Sequence, residues 1–108
     1  MTKHILLVFT DPVDGRHDEY NQWYNDVHLG EVLQTPGFVR AQRFKVADMM
    51  PGVTDHEYVA IYELETDDPE SAMKTLRGSA GDMTMTDAID LKNAKMSLAT
   101  EVSALVEA

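Results

Sequence analysis

The residues best suited to chemistry fall between positions 20 and 62. His28 comes first, because an imidazole titrates near neutrality and can move a proton to and from a carbon acid without a cofactor. Glu31, three residues on, lies on the same side of a helical turn and could orient that ring or share the proton. The plainer alternative has His28 bonded to a backbone carbonyl at a helix kink and Glu31 paired with Arg40 or Arg43. Tyr20, Trp23 and Tyr24 could line a pocket for an aromatic substrate, a phenol donating to a developing oxyanion, or could be core between a helix and a sheet. Arg43 could clamp a carboxylate or an enolate. Tyr58 and Tyr62 project to one side of a strand, towards a barrel interior, a helix-packed face or a dimer seam.

His4 and His56 each open a strand, and neighbouring strands could bring them together. Neither a His-x-x-x-His pair nor a carboxylate triad accompanies them, so no metal is expected. The last third of the chain carries no histidine to serve a haem. There is no nucleophile elbow, Gly-rich phosphate cradle or dinucleotide fingerprint, and no cofactor is expected. Met49, Met50, Met83, Met85 and Met96 could shape a plastic cavity mouth or simply fill gaps.

These residues sit in a chain of 108, enough for one domain over residues 1–108 and one modest core. Nine Lys and Arg against nineteen Asp and Glu give a net charge of −10, and the cations do not cluster, which disfavours nucleic acid and anionic membranes. The absence of cysteine excludes disulfides, thiolate metal sites and a Cys nucleophile. The opening apolar run is too short for a signal peptide or a membrane span, so a cytoplasmic location is expected.

Ile5 to Phe9, closed by Asp11-Pro12-Val13-Asp14-Gly15, predicts a central strand over residues 3–10. Tyr20, Trp23, Tyr24 and Val27 fall on one helical stripe and predict a helix from about Arg16 to Val27, kinked near His28 and ending in a short segment by Thr35. Residues 38–46 predict a second strand, 47–55 a loop around Pro51-Gly52, and 56–64 a third strand with Tyr58, Ala60, Tyr62 and Leu64 on one face. Asp68 before Pro69 is an N-cap signal for a helix over Pro69 to Arg77. Residues 78–93 give no clean period and at most one helical turn near Thr86 to Ile89. Beyond Lys95, alternation as far as Val106 predicts a fourth strand, apolar on its even positions. The order β-α-β-β-α-β is that of an α+β, ferredoxin-like sandwich, a four-stranded antiparallel sheet with both helices on one face. Its other face needs a cover, and a symmetric sheet-to-sheet homodimer is the economical one.

The run from Tyr20 through Trp23-Tyr24, His28 and Glu31 to Pro36-Gly37-Phe38 and Arg43-Phe44 resembles the EthD-like branch of the dimeric α+β barrel proteins. With the following strand and the Thr-Asp-Asp-Pro-Glu helix start, the resemblance covers residues 4–77. It implies a subunit whose sheet joins a partner's to form a barrel around a small, often aromatic or polyketide-like ligand. Gly30 stands where close relatives often carry Pro. Because the family spans many chemistries, the fold does not choose among them. The leading expectation is a cofactor-independent small-molecule enzyme, a lyase or dehydratase, isomerase or cyclase, acting on an aromatic or conjugated carbonyl or hydroxyl substrate. In it His28 is general acid/base, Glu31 orients it, and Tyr24, Tyr62 and Arg43 hold the substrate, with Tyr20, Trp23 and Tyr58 as further contacts. The alternatives are a non-catalytic binder of a hydrophobic intermediate and a cofactor-free monooxygenase.

Overall fold

The computed structural model describes residues 1–50 and 52–108; Pro51, in the loop read from sequence, lies outside the described residues. Four strands, β1 (Lys3–Thr10), β2 (Phe38–Lys45), β3 (Tyr58–Glu65) and β4 (Lys95–Thr100), form one sheet in the order β2-β3-β1-β4. Every neighbouring pair is antiparallel. The most apolar strand, β1, takes a central place with partners on both sides, as expected of a run with no polar face.

Between β1 and β2 lie α1 (His17–Trp23), a π-helical turn over Tyr24–His28, and α2 (Leu29–Val32). The single helix expected to Val27 is therefore an α-helix only to Trp23. The kink anticipated at His28 is spread over a five-residue π turn, a local feature frequent at functional sites. Gly37, at φ 96°, then turns the chain into β2, a conformation that favours glycine. Its carbonyl accepts from Glu65 N–H at 2.9 Å. Between β3 and β4 runs α3 (Pro69–Ser79), whose first turn is capped by Asp68, its carboxylate accepting from Ser71 N–H at 3.0 Å.

Residues 80–93 hold short 3₁₀ turns at Ala80–Asp82 and Leu91–Asn93 and an isolated bridge between Pro12 and Ile89. The turn expected near Thr86 to Ile89 is present at Asp87–Ala88, and Ile89 at its end makes the bridge. The fourth strand stops at Thr100, six residues short of the sequence reading. Its partner β1 begins at Lys3, and after Glu101 N–H donates to Lys3 O no ladder of this chain remains to pair with.

α1, α2 and α3 cover one face of the sheet, burying Leu6, Ala60, Tyr62 and Leu64 against Tyr20, Trp23, Tyr24, Val32 and Ala72. The opposite face carries Ile5, Leu7, Phe9, Val59 and Ile61, which remain half-buried. At its edge Glu63 stands 3.4 Å from Lys3 Nζ and 2.9 Å from Arg40 Nη1. The Arg40 contact lacks hydrogen-bond alignment, so Glu63 Oε2 is without a donor. Among the described residues no helix is long and apolar enough to cross a membrane.

Candidate functional site

The π turn delivers His28 against its own helix. Its ring stacks on Trp23 at 4.6 Å between centroids and 19° between planes, and meets the edge of Tyr24 at 5.1 Å. Nδ1 is buried with no hydrogen-bond partner. Burial pulls the His28 pKa below its ordinary 6.5, opposed by the charge of Glu31, so the ring is neutral at neutral pH. A buried nitrogen left unpaired is uncommon in a folded protein and calls for a role.

Glu31 forms no hydrogen bond with His28. Both its oxygens accept from Thr84 N–H, at 3.0 and 3.1 Å, while Trp23 Nε1–H donates to Thr84 O at 2.7 Å. The backbone N–H and C=O of one residue, Thr84, are thus held by Glu31 and Trp23, which lie on either side of His28 in the chain. Sequence offered no signal for Thr84, because the contact spans fifty-three positions.

The tyrosines and Arg43 form a second cluster on the helix-covered face. The Arg43 guanidinium carbon lies 4.3 Å from the Tyr24 ring centre, 5.1 Å from Tyr20 and 5.2 Å from Tyr58. Its Nη1 donates to Asn25 Oδ1 at 2.8 Å and its Nη2 to Asn21 Oδ1 at 2.9 Å; Nε is buried without a partner. No carboxylate pairs with it among the described residues, so the cation is balanced by ring faces and amide oxygens. Asn21 and Asn25, four apart on the helix, were not singled out from sequence, although that spacing marks one helical face.

Tyr58 and Tyr62 lie on this covered face rather than in the interior of a barrel, because they share strand parity with Ala60 and Leu64, which pack under the helices. Tyr20, Tyr24 and Tyr62 are 0, 1 and 1 % exposed. Burial raises the pKa of all three, keeping them protonated. Tyr20 shares a hydrogen bond with Thr10, and the Tyr62 hydroxyl is buried without a partner.

His4 and His56 do not meet. β1 and β3 run antiparallel, so the starts of the two strands fall at opposite ends of the sheet. His4 Nε2 donates to Thr66 O at 3.1 Å and, in the neutral ring, Nδ1 accepts from Thr100 Oγ1 at 2.8 Å. His56 is engaged in the same way by Asn93 O and Thr54.

Among the clefts bounded by the described residues, two border the sheet and are large enough for a small molecule. One of about 450 Å³ on the covered side runs between α3 and strands β1 and β4, lined by Leu6, Met73, Arg77, Met96 and Leu98 among others. The other, about 560 Å³, lies at the end of the sheet beside Phe9, His56 and Lys95. Leu6, in the wall of the first, pairs across the sheet with Tyr62, which packs in the same core as Tyr24 and Trp23. Of the methionines expected at a cavity mouth, Met96 lines both clefts, Met83 packs against the core, and Met49, Met50 and Met85 are exposed.

No family model matches the chain, and no curated protein matches it. Solved structures do. Among them are a candidate monooxygenase from Shewanella loihica PV-4 (12 % identity, TM-score 0.62, covering 95 % of this chain and 98 % of that one) and a heme-degrader from Mycobacterium tuberculosis with two hemes bound in its active site (15 %, 0.62, 95 % and 99 %). A third is an EthD family protein from Bacillus halodurans C-125 (12 %, 0.52, 94 % and 100 %). At these identities the likeness shows the fold: the chain is an α+β protein of the ferredoxin-like class that these proteins share.

Proposed function

We propose that this chain is a small-molecule enzyme in which neutral His28 is the general base. The observation that carries the reading is the His28 ring itself, held neutral between Trp23 and Tyr24 with Nδ1 buried and unpaired. A neutral imidazole at pH 7 is ready to take a proton, and its conjugate acid can return one. The substrate class is an aromatic or conjugated carbonyl or hydroxyl compound, and the reaction is proton abstraction and return, as in an isomerase, cyclase or dehydratase. The cleft of about 450 Å³ has the size of a pocket for such a molecule, with Glu70 and Arg77 in its wall; His28 does not line it, so a substrate there meets the base only when the helix face between them opens. Arg43 and the tyrosines around it act here through the helix they anchor. Glu31 acts through Thr84, holding the 80–90 segment against the π turn rather than orienting the ring directly. No cofactor is needed for this chemistry. The enzyme works as a homodimer joined through the bare sheet faces, whose apolar row of Ile5, Leu7, Phe9, Val59 and Ile61 asks for a cover.

Haem is not part of this reading: the cleft of about 450 Å³ has Met73 and Met96 but no histidine, cysteine or tyrosine in its lining, and His28, whose Nδ1 is unpaired, lies outside that lining. A cofactor-free oxygenase is the second reading, favoured by the likeness to the candidate monooxygenase. The test is solvent-deuterium incorporation into 2-tetralone and into 2-hydroxy-1,4-naphthoquinone, run beside oxygen uptake with 1,5-dihydroxynaphthalene. Exchange that depends on His28 supports the base. Oxygen uptake without such exchange supports the oxygenase, and ligand binding with neither leaves a carrier.

A further inference from the structure

A smaller cleft, of about 250 Å³, opens between α2, the loop that follows it and the end of α3, and His28 does not line it. Glu31 and Asp82 are the charged groups in its wall. Neither carboxylate forms an ion pair among the described residues, whereas Lys3, Arg16 and Arg40 all find acidic partners elsewhere.

Thr35 adds what two acids alone do not supply. It is 6 % exposed, and its backbone is fully used, N–H donating to Val32 O at 3.0 Å and C=O accepting from Phe38 N–H at 3.1 Å. Its hydroxyl has no partner among the described residues and, unlike His28 Nδ1, is not sealed in the interior, for Thr35 forms part of the cleft wall. A hydroxyl on so buried a residue is normally bonded, and one left open to a cavity calls for a group to bond it.

The chemistry of the wall selects that group. Both oxygens of Glu31 accept from Thr84 N–H, yet a carboxylate offers about four lone-pair sites, so acceptor capacity remains. A calcium ion wants roughly six or more oxygens, and among the described residues no three of His, Cys, Asp or Glu are grouped to hold a metal. A primary ammonium brings N–H donors and no acceptor, which suits two carboxylates and a hydroxyl, and its alkyl stem suits Pro36 and Met83 beside them. The net charge of −10 draws such a cation in.

We infer that this cleft binds a small aliphatic amine in its ammonium form, with Glu31, Asp82 and the Thr35 hydroxyl taking the N–H groups and the stem lying along Pro36 and Met83. The site stands apart from the reaction proposed for His28. Because Glu31 also holds Thr84 N–H, an occupant touches the clamp that packs the 80–90 segment beside Trp23.

The experiment is an NMR titration of the full chain with butylamine at pH 7 and constant ionic strength, where the amine is charged. Two controls run beside it: 1-butanol, which has the stem without the charge, and tetramethylammonium, which has the charge without N–H. The expected result is a saturable shift centred on the amides of Thr35, Met83 and Thr84, with butylammonium binding at least about tenfold tighter than either control. Asp82→Asn, at an exposed position, should keep the circular dichroism and weaken binding at least about fivefold. Thr35→Val keeps the branched shape, loses the hydroxyl and should weaken binding at least about threefold. Tetramethylammonium binding as well as butylammonium, or shifts spread evenly over the surface acids, would mean diffuse attraction and overturn the site. Full affinity in both variants overturns it as well. Calcium that displaces butylammonium at equal concentration would make the cleft a metal site and overturn the amine.

Discussion

Trp23 lies flat against His28, their ring centres 4.6 Å apart, and the same indole donates its N–H to Thr84 O. One side chain thus covers a face of the half-buried imidazole and ties it to the segment that follows α3. The ionisation of His28, the packing of α1 and the placement of residues 80–90 depend on one another through this contact.

His28 should titrate below 6.5 because burial disfavours its cation. The sign of the linked stability follows. The unfolded chain binds the proton first as pH falls, so the stability contributed by the neutral buried ring is present above about pH 6.5 and is lost as pH falls through the window down to the folded pKa. His28→Gln should narrow the difference in urea midpoint between about pH 7.5 and 5.5 relative to the wild type. An unchanged difference would place the cause in other groups. Trp23→Leu should raise the His28 pKa towards 6.5 in an NMR titration, since a smaller neighbour admits water.

Arg43 is held by ring faces and two asparagine oxygens, with no carboxylate among the described residues. Arg43→Lys loses the planar stack and at least one hydrogen bond, and should cost about 1–2 kcal/mol. That cost should be the same at low salt and at about 1 M salt, because cation–ring contacts and amide bonds at close range are little screened. A cost that vanishes at high salt would mean that an ion pair holds Arg43.

Glu31 and Thr84 form a carboxylate-to-amide bond of the charge-assisted kind. Glu31→Gln keeps one acceptor oxygen and should leave the Thr84 amide partly protected, whereas Glu31→Ala should free it and speed its exchange at least about tenfold. Equal exchange in all three proteins would show that Trp23 alone fixes the segment.

Asp68 caps α3 through Ser71 N–H. Asp68→Ala should lower stability by about 1 kcal/mol, and Asp68→Asn by much less, measured by urea unfolding. Equal losses from both would assign the effect to charge rather than to the cap.

What the sequence made legible follows from the range of the forces involved. β1, the Asp68 cap with Pro69, a helix kink near His28 and the shared face of Tyr58, Ala60, Tyr62 and Leu64 are written in local pattern, where period and turn chemistry act over a few residues. The layer in which that tyrosine face lies is decided by which side the helices choose, and alternation alone carries no such information. The end of β4 was illegible for a related reason: alternation says that 101–106 can be a strand, but only the length of β1 says whether a partner is present. The Thr84 clamp and the Arg43 cage join residues far apart in the chain. Of these, only the Asn21 and Asn25 spacing left a trace that helical geometry could have used.

The most direct test of the central claim is the pH dependence of deuterium incorporation into 2-hydroxy-1,4-naphthoquinone or 2-tetralone, set beside the NMR titration of His28 in the same protein. The account predicts a rate that rises through the His28 pKa, levels above it, and falls by about 10²-fold or more in a folded His28→Gln variant. A His28→Gln protein that exchanges at the wild-type rate, or a wild type that exchanges no faster than buffer, would contradict it.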